Sequence, residues 1–207
     1  MLEFAAKAFI TLFVVIEPFG LVPFFLALAG GRPYDEQKRI ARKAVVVAGI
    51  LILVFALLGR AVLGYMGISL EALKVAGGLL LFKIALDMVF AQHERETKEE
   101  EAEARAREDV SVFPMAIPFI AGPGTLASTL ILTGAAPAGA VGFWLVLLIA
   151  AVVLVLTYLL LRVSMRLSKV LGRTGINVVT RVLGILLAAL AVQYVADGVR
   201  ILLKNIA

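Results

Sequence analysis

A chain of 207 residues that is 62% apolar and only 17% charged has too few polar side chains to cover a soluble surface, so a soluble globular domain is excluded. The lack of cysteine excludes disulfides and thiolate metal sites, and the lone histidine, His93, is one ligand where a metal needs several, so no metal or cofactor is expected. The net charge of +5 does not point to nucleic acid, because the lysines and arginines sit at the ends of apolar runs rather than on a polar docking face.

Apolar runs long enough to cross a bilayer predict an all-α membrane protein of six transmembrane helices, at about 4–29, 41–64, 69–91, 112–134, 140–162 and 178–203. The first run lacks the basic leader and small-residue cleavage site of a signal peptide, so it is expected to stay as a span. It contains Glu17-Pro18-Phe19-Gly20-Leu21-Val22-Pro23, and the prolines there are expected to break the helix near the midplane. On this reading Pro18 frees the carbonyl of Val14 and Pro23 that of Phe19. Glu17 lies about 13 residues into the run, or roughly 20 Å along a helix. A carboxylate at that depth should face protein or water, which makes it a candidate proton carrier.

The next loop, Gly30-Gly31-Arg32-Pro33, is a turn signal, and Asp35 is expected to cap the second span. In the third span, Lys83 and Asp87 stand one helical turn apart and can pair, with a structural or an ion-coupling role. A charged stretch at 94–110 then reads as a cytoplasmic linker between two halves, 1–93 and 111–207. The fourth span carries Pro114, Pro118 and Gly122-Pro123-Gly124-Thr125, which predict a second midplane break with Thr125, Ser128 and Thr129 beside it. Gln193 in the sixth span is expected to hydrogen-bond across the interface between the halves.

Two comparisons within the chain give the halves their relation. Lys74-Val75-Ala76-Gly77, opening the third span, lines up with Arg181-Val182-Leu183-Gly184, opening the sixth, and at nearly the same offset Pro18 falls on Pro123. Three crossings per half is an odd number, so the second half is expected upside down relative to the first, an inverted repeat of the kind used by transporters. The first, third and fifth loops hold most of the basic residues, among them Arg32, Lys43, Arg95, Arg107, Arg162 and Arg166. Those loops are therefore expected to be cytoplasmic and both termini outside.

At each break one half-helix ends in carbonyls, around Val14–Ile16 and Phe119–Ile120, and another begins with free N–H groups, at Gly20–Val22 and Gly124–Leu126. Two positive and two negative helix ends meeting near the midplane suit a zwitterion: carboxylate on the N–H groups, ammonium on the carbonyls and Glu17. Glu17, Pro18, Gly20, Pro23, Gly122, Pro123, Gly124, Thr125 and Ser128 are the candidate substrate-binding residues, and Lys83, Asp87 and Gln193 the candidate coupling or structural ones. An ion channel or ion exporter built on the same broken helices is the alternative. No catalytic set is present, so an enzyme is not expected.

Pro18-x-Gly20-x-x-Pro23, Gly77-Gly78 with Ala85-Leu86-Asp87-Met88, and Pro118-x-x-x-Gly122-Pro123-Gly124-Thr125 resemble the MarC family of integral membrane proteins across essentially the whole chain. The first motif of that family usually opens on aspartate, where this chain has Glu17, one methylene longer. The family includes SnatA-type small neutral amino acid transporters. The resemblance therefore implies proton-linked transport of glycine, alanine or similar solutes across a prokaryotic inner membrane. The expected partners are an amino acid, protons and membrane lipid.

Overall fold

The computed structural model describes residues 1–90, 109–137 and 139–204. His93 and the linker as far as residue 108 lie outside the described residues. All regular structure among the described residues is helical.

The first expected span is two helices, α1 (Leu2–Ile16) and α2 (Leu21–Ala29), bent by 40°. α1 stops because Glu17 turns into the left-handed region, at φ 52°, while its own N–H still reaches the Phe13 carbonyl at 3.0 Å. Among the described residues Glu17 is the one non-glycine position with positive φ. That conformation costs an L-residue roughly 1–2 kcal/mol. Pro18, which cannot extend the helical ladder, comes next in the chain.

The second expected span lies within α3 (Tyr34–Tyr65). Pro33 stands at its N-cap, so Asp35 is not the cap; it and Glu36 occupy the first turn, where carboxylates favour the positive helix end. The buried Gln37 side chain donates to the Arg32 carbonyl at 2.8 Å and the Gly30 carbonyl at 3.4 Å, tying the turn between α2 and α3. The buried face of α3 is a stripe of small residues, Ala41, Ala44, Ala48 and Ala56, which lets neighbouring helices approach closely.

The third expected span forms α4 (Leu70–Phe90), a helix of 21 residues. Glu71, Lys74, Lys83 and Asp87 interrupt its apolar surface. It is accordingly not among the three helices long and apolar enough to cross a membrane, Tyr34–Tyr65, Ala140–Arg162 and Thr174–Lys204, nor among the bent pairs that raise that number to five. By apolarity alone the structure therefore gives up to five crossings rather than six.

The fourth span departs further from the expected broken α-helix. Its first half, Ser111–Ile120, is not α-helical: Phe113 and Ile117 are extended, and the bonds Phe113–Pro114 and Ile117–Pro118 are cis. The amides of Met115 and Ala121 reach carbonyls five residues back, on Val110 and Ala116. Two prolines four residues apart each remove an amide from a regular ladder, which accounts for its loss. After a 53° bend the chain resumes as α5 (Pro123–Gly134), with Gly122 as N-cap and Pro123 in the first turn, where its missing N–H costs nothing. Two further helices complete the chain. α6 (Ala140–Arg162) is regular, and α7 (Ser164–Lys204) is broken at Gly172, whose φ of 60° favours glycine.

α3 packs against Ser111–Ile120, α5 and α6, while α6 packs against α1, α2 and α3. α4 packs on α5, and α7 on α2 and α1. The most extensive contact is between α4 and α7, and glycines set its closeness. A Cβ at Gly78 would lie 2.7 Å from the Val195 side chain and 2.8 Å from the Ala191 carbonyl. One at Gly184 would lie 2.8 Å from Met88 and 3.2 Å from the Ala85 carbonyl.

Candidate functional site

The two breaks lie close together. Val15, two residues before Glu17, reaches within 3.4 Å of where a Cβ on Gly124 would sit. On the other side, the Phe24 and Phe119 rings pack at 4.9 Å between centroids, tilted by 38°. Half-helices from both spans thus touch, α1 against α5 and the start of α2 against the end of Ser111–Ile120.

At the first break the Glu17 side chain is 2% exposed and folds back over Gly20. A Cβ at position 20 would meet Glu17 Oε1 at 2.2 Å and Cδ at 2.5 Å, so only glycine leaves room for that carboxyl group. Pro18 is buried beside it. The N-terminus of α2 is more satisfied than the sequence suggests. Leu21 N–H donates to the Glu17 carbonyl at 3.1 Å and Val22 N–H to the Phe19 carbonyl at 3.2 Å. The Phe19 carbonyl is therefore not freed by Pro23, and Pro23 itself lies on the exposed face of α2.

At the second break Gly122, Gly124 and Thr125 are buried and Pro123 is exposed. The Thr125 hydroxyl donates to the Ile120 carbonyl at 2.9 Å, so one carbonyl expected to face a ligand is closed by a side chain instead. Leu126 N–H donates to the Gly122 carbonyl at 3.0 Å as an ordinary helical bond. Gly122 is required for a different reason: a Cβ there would stand 2.4 Å from the Pro118 carbonyl. Gly124 lets α5 approach α4, with Leu81 and Ile84 at 2.9 and 3.1 Å from its would-be Cβ. Thr129 and Thr133 donate back to carbonyls of their own helix, while the fully buried Ser128 hydroxyl finds no partner among the described residues.

Beside this second break is a cavity of about 330 Å³. Its walls are Val15 from α1, Lys83, Ile84 and Asp87 from α4, and Pro118, Phe119 and Gly122 to Thr125 around the break. Lys83 Nζ and Asp87 Oδ2 are 3.2 Å apart, a pair one helical turn apart along α4. The cavity therefore gathers a cation, an anion and the N-terminal turn of α5, whose peptide dipoles favour negative charge. Gly122, Pro123, Gly124, Thr125, Lys83 and Asp87 are brought together; Glu17, Pro18, Gly20, Pro23 and Ser128 are not on its walls. Gln193 is elsewhere. It faces outward on α7 and donates to Asp197 of its own helix at 2.8 Å, not across the interface between halves. Val15 and Phe119 entered the sequence reading only through their backbone carbonyls, and Ile84 not at all, because apolar residues of a span carry no mark of which cavity they border.

Where the chain enters the fourth span, Asp109 organises the turn. It accepts from the Ser111 amide at 2.9 Å and the Ser111 hydroxyl, and pairs with Lys43 of α3. The Lys43 and Ser111 bonds hold its carboxyl down to about 2, from an ordinary value of 3.8.

Among the described residues no group of acidic or histidine side chains is placed to hold a metal ion. The sequence model described as MarC family integral membrane protein matches residues 2–203. The chain is 38% identical to a UPF0056 membrane protein of Methanocaldococcus jannaschii, covering 96% of this chain and 97% of the relative. It is 36% identical to the UPF0056 membrane protein YvbG of Bacillus subtilis, over 97% and 96% of the two chains. A UPF0056 membrane protein of Aquifex aeolicus is 39% identical over 96% of this chain and 94% of its own length. No solved structure matches.

Proposed function

The chain belongs to the MarC family of integral membrane proteins, and from that premise we propose that it is a secondary transporter moving small neutral amino acids, such as glycine or alanine, by alternating access. The observation that carries this reading is the cavity at the second break, in which Lys83, Asp87 and the N-terminal turn of α5 converge on about 330 Å³. A zwitterion matches those charges. Its carboxylate goes to Lys83 and the α5 N-terminus, and its ammonium to Asp87, so that the substrate replaces each member of the ion pair as the other's partner. A cavity this small, at the low end of the range of about 300–1,000 Å³ for ligand pockets, suits a small side chain. Glu17, buried two residues beyond Val15, is the group that links the site to protons.

The architecture proposed for this activity is six spans in two inverted halves, with α4 as the third span and its charged residues turned to the site and the interface. The packing supports it. α3 on Ser111–Ile120 is mirrored by α6 on α1, and α4 on α5 by α7 on α2. The offset that lays Gly77 on Gly184 also lays Met88 on Val195; Met88 fills the notch at Gly184, and Val195 that at Gly78, one residue out of register from Gly77. On this reading both termini are outside, the arginine-rich loops are cytoplasmic, and the membrane is the inner one.

The absence of cysteine allows a direct test. Ile84→Cys puts one thiol on the cavity wall, and its rate of maleimide labelling in membranes is measured with and without glycine or alanine. Slower labelling with either amino acid, and no slowing when Asp87→Asn is added, is the expected result. Labelling indifferent to amino acids but slowed by inorganic cations would favour an ion pathway.

A further inference from the structure

A second cavity, of about 920 Å³, lies between α1, α3 and the end of α6, and its lining differs in kind from that of the proposed substrate site. Leu156, Leu160 and Val163 form one wall and Phe13 and Phe19 the other. At one end stand Arg162 and Arg166, with Tyr34 beside them. No carboxylate lines the cavity, and neither arginine takes part in an ion pair among the described residues. Arg162 makes one hydrogen bond there, from Nε to the Tyr34 hydroxyl at 3.4 Å, which leaves most of its five N–H donors for another acceptor.

An apolar trough ending in two cations fits a molecule with one anionic end and a hydrocarbon body. From Leu156 to Val163 the helical wall runs about 10 Å, which matches the upper part of an acyl chain lying along α6. The two arginines flank the junction between the end of α6 and the start of α7, which on the orientation proposed above is on the basic side of the protein, where the facing leaflet is anionic. We propose that this groove holds one anionic phospholipid, its phosphodiester bridging Arg162 and Arg166 and its acyl chain lying between α6 and the phenylalanines of the first span. A soluble anion would use the arginines but have no reason to meet the leucine wall. The Phe13 and Phe19 rings, edge to face at 6.2 Å, bracket the break at Glu17, so the lipid is placed to bear on that break as well.

The test is native mass spectrometry of the whole chain released from nanodiscs of phosphatidylglycerol mixed with phosphatidylcholine. Wild type is expected to retain one phosphatidylglycerol in preference to phosphatidylcholine. In the double variant Arg162→Gln, Arg166→Gln that preference is expected to fall at least about tenfold. The control variant Arg200→Gln, Lys204→Gln, with the same charge loss at the end of α7, should keep it. Thermal unfolding in detergent with added glycerol 3-phosphate separates the two sources of phosphate. Stabilisation by phosphatidylglycerol and not by glycerol 3-phosphate supports the lipid. Equal stabilisation by both, equal loss in the control variant, or an arginine-dependent dimer in place of bound lipid overturns it.

Discussion

At the residue scale, Glu17 and Gly20 act as a unit. A carboxyl group buried at a helix break can lie flat only over a residue without a side chain, and Gly20 supplies that space. Gly20→Ala is expected to push the carboxyl aside, lowering amino acid exchange by about tenfold or more. Because the displaced atoms are the far end of a flexible side chain, thermal stability should fall by less than about 1.5 kcal/mol. Thr125→Val removes the hydrogen bond to the buried Ile120 carbonyl while keeping the shape, and should cost about 1–3 kcal/mol in denaturation midpoint comparisons. Asp109 makes a pH-dependent contribution. Its carboxyl titrates near 2 in the folded chain against 3.8 ordinarily, so its stabilisation is complete above about 4 and is lost as pH falls from there through 2. The stability difference between wild type and Asp109→Asn should therefore be present at pH 6 and vanish across that window.

At the element scale, glycine spacing decides how near α4 and α7 come. Gly78→Ala sets a methyl against both a side chain and a backbone carbonyl of α7, and should destabilise by about 1–3 kcal/mol in thermal unfolding. Gly31→Ala, with nothing within 4 Å of the new methyl, should stay within about 0.5 kcal/mol of wild type. The elements also show how far a sequence can be read. Where the chain breaks was legible, because Pro18 and Pro118 lack the amide that a helix needs and Pro123 marks the first turn of a new one. The conformation at each break was not. The left-handed turn at Glu17 and the Thr125 bond to Ile120 arise where the chain bends, by 40° and 53°, inside a packed bundle, and neither leaves a local pattern. Lys83 and Asp87 were legible as a pair because one helical turn fixes their distance. Gln193 was misassigned because periodicity gives the face of a helix but not the neighbour that meets it; its acceptor, Asp197, lies one turn along its own helix.

At the scale of the whole molecule, the proposal is that two inverted halves rock about the place where their broken spans touch. The contacts between Val15 and Gly124 and between Phe24 and Phe119 are where such a motion would be felt first, because each joins one half to the other. A cavity walled by residues of both proposed halves, Val15 and Lys83 from one and Pro118 and Gly124 from the other, is what alternating access requires. The most direct measurement is counterflow of labelled alanine and glycine in proteoliposomes, comparing wild type with Asp87→Asn and Glu17→Gln across pH. The account predicts saturable exchange in wild type, at least about tenfold slower exchange in Asp87→Asn, and exchange that no longer varies with pH in Glu17→Gln. Reconstituted wild-type protein that exchanges neither amino acid, or that passes ions in a current unaffected by either, would contradict it.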